Sequence, residues 1–108
     1  MIAIGTDFPV EQINPFLTIH AAVQRKDQDN FPNTGFLPSE AITFEECIRG
    51  MTIWPAFASF QEKELGTLGK GKHATFAIFE NPVQSTPIYK NNYAYMTFVK
   101  GKKVYTMD

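Results

Sequence analysis

The order of periodic segments predicts an α+β chain: a short apolar run opens it, stretches with helical spacing follow, and alternating segments divided by glycine turns close it. At 108 residues it has the length of one ordinary domain. It is too short to close an eight-stranded α/β barrel, which takes about 250 residues. Apolar residues make up 44% and aromatics 14%, enough for a packed core, so the composition argues against intrinsic disorder.

Ile2-Ala3-Ile4 is a continuous apolar run closed by Gly5-Thr6-Asp7, and it reads as a fully buried strand ending in a turn. Asn14-Pro15 then gives an N-cap residue followed by proline at the first helical position. Phe16, Leu17, Ile19, Ala22 and Val23 keep a helical period, so a helix is expected over about 15–25. From Asp27 to Pro38 the chain is rich in Asp, Asn, Gln, Pro and Gly and reads as a long loop. Thr43-Phe44-Glu45-Glu46 is a capping box, with Ile42 and Cys47 at the hydrophobic staple positions. The helix it starts is expected over 43–60, broken or kinked by Pro55, which has no amide to donate. Leu65-Gly66 reads as its stop. Beyond it, 74–79, 93–99 and 104–106 read as strands, with Lys100-Gly101-Lys102-Lys103 as the tight turn between the last two. Asn81-Pro82 and Ser85-Thr86-Pro87 mark loops.

Ten basic and eleven acidic residues give a net charge of −1. Residues 1–54 hold seven acids and three bases, and residues 55–108 hold four and seven. An asymmetry this mild fits a solvated basic edge on the last strands and argues against a nucleic-acid or membrane partner. No stretch approaches the ~20 apolar residues of a membrane span. The first residues lack the features of a signal peptide. A single cysteine, Cys47, forms no internal disulfide, which suits a cytoplasmic location.

Among side chains with chemistry, Asp7 stands out because it follows an apolar run, at the carboxyl end where α/β proteins place catalytic groups. On spacing alone, a plain turn or helix-capping aspartate is the commoner reading. His20 reads as a helix-packing histidine and His73, between Lys72 and Ala74, as a solvated surface residue. Cys47, as the staple residue, is expected to point inward and be inert. Gly66 to Lys72 has neither the spacing of a phosphate loop nor a helix after it. Tyr89, Lys90, Tyr93, Tyr95, Lys100, Lys102, Lys103 and Tyr105 interleave bases with aromatics, as a half-buried hairpin does more often than a nucleic-acid surface.

Five segments in one order carry a family resemblance: Ile4-Gly5-Thr6-Asp7-Phe8-Pro9-Val10; Asn14-Pro15 with Ala21-Ala22-Val23; Phe44-Glu45-Glu46 with Met51-Thr52; Leu65-Gly66-Thr67-Leu68 with Lys70-Gly71-Lys72 and Ala74; and Thr97 to Tyr105. Together they resemble the C-terminal part of metal-dependent amidohydrolases, in the branch called amidohydrolase family 3, which includes enzymes similar to N-substituted formamide deformylases. The resemblance implies that residues 1–65 are the end of a (β/α)8 hydrolase barrel, with its last strand at 2–5 and closing helices. It implies that 66–108 are strands of a flanking β-sandwich. Asp7 would be the carboxylate at the barrel mouth, contacting the metal and taking a proton from the attacking water.

The resemblance further implies a divalent metal, zinc first, in the complete enzyme and a small amide-type substrate of N-acyl or formamide class. The family's paired histidines have no counterpart in this sequence, and Gly69, His73 and Thr75 stand where the family commonly has acids. Three or more ligands are needed for a catalytic zinc. The chain alone is therefore expected to hold no metal stably and to be inactive, and its open strand edges to favour a homo-oligomer. The alternative is a non-catalytic oligomerising or interaction domain derived from the same fold.

Overall fold

A computed structural model describes residues 1–83 and 92–108. Its elements are α1 (Pro15–Gln24), a 3-10 turn (Pro38–Glu40), α2 (Phe44–Met51), α3 (Ile53–Ala58), β1 (Phe76–Phe79), β2 (Ala94–Val99) and β3 (Lys102–Thr106). The expected loop at Ser85-Thr86-Pro87, and Tyr89 and Lys90, lie outside the described residues.

α1 begins as its caps dictate. Asn14 Oδ1 accepts from the Phe16 amide at 3.0 Å, and Pro15 opens the helix. It ends at Gln24 because Arg25 turns left-handed (φ 55°) while its amide donates to Ala21 O. The following loop is tied back to that end: the Phe36 amide donates to Arg25 O at 2.7 Å and Arg25 Nε to Phe36 O at 3.0 Å. Within the loop, Asp27 Oδ1 accepts from the amides of Asp29 and Phe31.

The capping box at α2 is complete. Glu46 Oε2 accepts from the Thr43 amide and the Thr43 hydroxyl, each at 2.8 Å, and Thr43 Oγ1 accepts from the Glu46 amide at 3.2 Å. The Thr43 amide and hydroxyl hold the Glu46 carboxyl below its ordinary range. A carboxyl depressed in the folded state contributes stability that is complete above the ordinary carboxylate range and is lost as pH falls through the folded value. Glu46→Gln is therefore expected to be less stable than the parent at neutral pH, with the difference closing in acid. Thermal melts of both proteins across the acid range check this, and a gap that stays constant with pH would refute it.

The expected helix over 43–60 is two helices. The break falls at Thr52 (φ −128°, ψ −83°), three residues before Pro55. Proline lacks the amide that Met51 O would accept four residues earlier, and its ring crowds that carbonyl, so the ladder stops upstream of the proline itself. α3 ends at Ala58, and Gly66 (φ +87°) then brings the chain back against it. A Cβ at Gly66 would stand 2.8 Å from Ile53 Cα and 3.0 Å from Ala56 Cβ.

The three strands form one antiparallel sheet in the order β1-β2-β3. Lys100 (φ 49°) and Gly101 (φ 78°) make the left-handed pair of a two-residue hairpin turn between β2 and β3. Phe76 and Phe98, paired across β1 and β2, stack at 4.9 Å. The core joins the layers: Phe16, Ile19 and Cys47 are buried, with Ile4, Ile48, Phe79 and Val83 among the residues packed on them. Phe16 meets Phe79 edge-on at 5.3 Å, which fastens α1 to β1.

Ile2-Ala3-Ile4 departs from expectation. It forms no strand among the described residues, and Ile2 is 60% exposed. Its apolar run suits a place between two strands, but its partner here is a helix end, where the Ile4 amide donates to Gly50 O at 2.8 Å. No helix of the described residues is long and apolar enough to cross a membrane.

Candidate functional site

Asp7 sits three residues beyond the Ile4–Gly50 hydrogen bond, in a turn where its carbonyl accepts from the Val10 amide at 2.9 Å. Its backbone is left-handed (φ 52°), a conformation that aspartate and asparagine tolerate better than most residues. The residue is exposed. Beside the turn lies a groove of about 520 Å³ whose walls include Gly5, Thr6, Glu11, His20 and Arg25; Asp7 stands at its edge in sequence but is not on its wall. A second groove of about 880 Å³ runs between the helices and β1, and its walls, among them Phe16, Ile48, Met51, Leu65 and Phe76, are mainly apolar.

The other candidates are placed elsewhere. His20 is 3% exposed on the inner side of α1, with Nε2 3.1 Å from Asp27 O. A ring nitrogen facing a carbonyl carries the proton, so that nitrogen offers no lone pair to a metal. His73 is half-buried rather than fully solvated, because its amide donates to Glu64 O at 2.9 Å and draws it under the preceding turn. Lys72 Nζ donates to the carbonyls of Glu62 and Leu65, which turns the Gly66–Lys72 run into a cap for the chain before it rather than a cradle for phosphate. Cys47 is fully buried, and burial pushes its thiol up from its ordinary value. It is the staple residue of α2 rather than a nucleophile.

The described residues bring no three metal-ligating side chains together. Asp7 is one exposed carboxylate, His20 has one ring nitrogen committed to a carbonyl, and Cys47 is enclosed as a thiol. By themselves these residues do not fit a catalytic metal.

Gly50 is the residue that motif reading passed over. It is buried in the last turn of α2, and its carbonyl holds Ile4. Its signal was a glycine inside an amphipathic helical segment, where it costs about 1 kcal/mol against alanine and so calls for a packing reason.

Residues 1–105 match the family model described as "Amidohydrolase family". The chain is 34% identical over 113 aligned positions to Protein LONG AFTER FAR-RED 3 of Arabidopsis thaliana, covering 97% of this chain and 18% of that protein. It is 31% identical over 78 positions to putative amidohydrolase YtcJ of Bacillus subtilis, covering 72% and 15%. With the N-substituted formamide deformylase of Arthrobacter pascens it shares 30% over 79 positions, covering 73% and 14%. The chain thus spans less than a fifth of each of these relatives. No solved structure matches it.

Proposed function

Because the chain belongs to the amidohydrolase family, we propose that it supplies the C-terminal part of a metal-dependent hydrolase that cleaves a carbon–nitrogen bond other than a peptide bond, of N-acyl or formamide type. In this reading residues 1–65 complete the barrel wall and 66–108 belong to the flanking sandwich. Asp7 acts as the proton acceptor for the attacking water. The observation that carries it is the placement of Asp7: an exposed carboxylate in a left-handed turn, directly after an apolar segment anchored on a buried helix end. A carboxylate so placed is open to a water on one side and fixed in the chain on the other, as a general base requires.

A divalent metal, with zinc as the first choice, supplies Lewis-acid chemistry in such enzymes. Its remaining ligands would have to come from outside these residues, since Asp7 alone is too few. Transplanting this chain in place of the matching segment of the Arthrobacter pascens relative tests the reading. The chimera is expected to hydrolyse an N-substituted formamide, and the 108-residue chain alone to show neither turnover nor stoichiometric zinc. Turnover by the chain alone would refute its dependence on other residues.

A second reading, a non-catalytic oligomerising domain, is favoured by the exposure of Ile2, Phe8, Val10 and Ile13 near the N-terminus. It expects a homo-oligomer in light scattering and a chimera that folds but does not hydrolyse. A monomer would count against it.

A further inference from the structure

We infer that Gly50 is a positioning residue for Asp7: the helix end it forms is the seat on which the segment carrying that carboxylate is set. The inference rests on the reading of Asp7 as the reactive group. Its geometry is independent of that reading.

Two observations carry it. The Ile4 amide donates to Gly50 O at 2.8 Å, so one of the helix-end carbonyls of α2, which has no partner inside the helix, is satisfied by the N-terminal segment. The approach also leaves no room for a side chain unless the Ile4 side chain turns aside and the Ile2 backbone gives by a few tenths of an ångström. A Cβ at position 50 would stand 2.6 Å from Ile4 Cδ1, 3.0 Å from Ile4 Cγ1 and 3.1 Å from Ile2 O. Gly50 is not among the positive-φ glycines, so space rather than backbone conformation explains it. An alanine would favour the helix by propensity alone. A glycine here exchanges that gain for contact with Ile2 and Ile4.

The seat lies close to the reactive turn. Gly5 follows Ile4 and has open space around it, so packing does not fix it. Among the described residues, the Ile4–Gly50 bond is thus the last attachment of the backbone to another element before Asp7. A methyl group at position 50 pushes Ile2 and Ile4 away from α2, breaks that bond and swings the turn with it, while the capping box at the far end of the helix stays as it is.

Nuclear magnetic resonance on the full chain reads this without reference to catalysis. In Gly50→Ala, exchange of the Ile4 amide is expected to accelerate about tenfold, as loss of one hydrogen bond implies. The N–H dipolar coupling of Asp7, expressed in the frame of α2, is expected to change, whereas the couplings of Glu45 and Glu46 hold. Adding Ile4→Ala removes both side-chain atoms that the new methyl group meets, and is expected to bring the Asp7 coupling back toward the parent value. An unchanged Asp7 coupling in Gly50→Ala overturns the inference, because Gly5 then uncouples the seat from the turn. Absence of rescue overturns it as well. If Gly50→Ala does not fold, Ile4→Pro decides, since it removes the donor and leaves α2 untouched: the Asp7 coupling must change there too. Loss of the proposed catalytic role of Asp7 would leave these outcomes as they are, so the two ideas fail separately.

Discussion

In the chimera with the formamide-deformylase relative, Asp7→Asn is expected to lower kcat/KM by about a hundred- to ten-thousand-fold, the range for removing a general base. Asparagine is chosen for the backbone. Asp7 has φ 52°, and asparagine accepts the left-handed region as readily as aspartate, so the turn to Val10 survives the change. What disappears is the capacity to accept a proton. Alanine would confuse the two roles, since a left-handed alanine costs about 1–2 kcal/mol in the turn itself. The substitution therefore separates a catalytic carboxylate from a turn-forming one: steady-state kinetics that are unchanged in Asp7→Asn would assign Asp7 to the turn alone.

The largest stability effect is expected at Phe16. Its side chain is 4% exposed, belongs to the buried core with Ile19 and Cys47, and meets the Phe79 ring edge-on at 83°. Phe16→Ala removes the ring from α1 and leaves a void facing β1, a change that costs about 3–5 kcal/mol in buried positions. Against a total stability of about 5–15 kcal/mol, that is a large share. With a urea slope of about 2 kcal/mol per molar, the midpoint should fall by ~2 M, and with a parent at the low end Phe16→Ala should retain only about 0–2 kcal/mol and be partly unfolded without denaturant. A midpoint that moves by less than about 0.5 M would mean that the helices and the sheet do not share a core. Phe79→Ala should lose much of the same contact, so the double variant should cost less than the two single losses added.

Features fixed by a few neighbouring residues were legible. Thr43 with Glu46, Asn14 with Pro15, and Lys100 with Gly101 each settle a helix start or a turn through short-range hydrogen bonds or backbone sterics, and each is found where its residue types point. Pro55 signalled a break but not its place, because a proline acts on the carbonyl four residues before it and the helix parts at Thr52. Ile2-Ala3-Ile4 departs from its expected strand for a different reason. An apolar run says that a segment seeks cover, not which element covers it, and here the amide of Ile4 finds a helix end instead of a strand. The site was the least legible part. Asp7 is a residue type suited to its turn, so sequence alone favoured the turn over catalysis, and family resemblance turned the choice the other way. Gly50 leaves only an indirect trace, since a glycine's role lies in the contact it permits, and that contact is with residues 46 and 48 positions away in sequence.

The enclosed Cys47 gives the molecule a built-in clock. It is the sole sulfhydryl in the chain and sits at the meeting point of α1 and α2, sealed from solvent. A thiol-specific reagent can reach it only when that junction parts, so the labelling rate under native conditions counts openings of the core directly. No probe has to be engineered in. The same measurement, repeated with the unmatched portion of a relative supplied in trans, would report whether a companion polypeptide grips this core, through the slowing of a single chemical reaction.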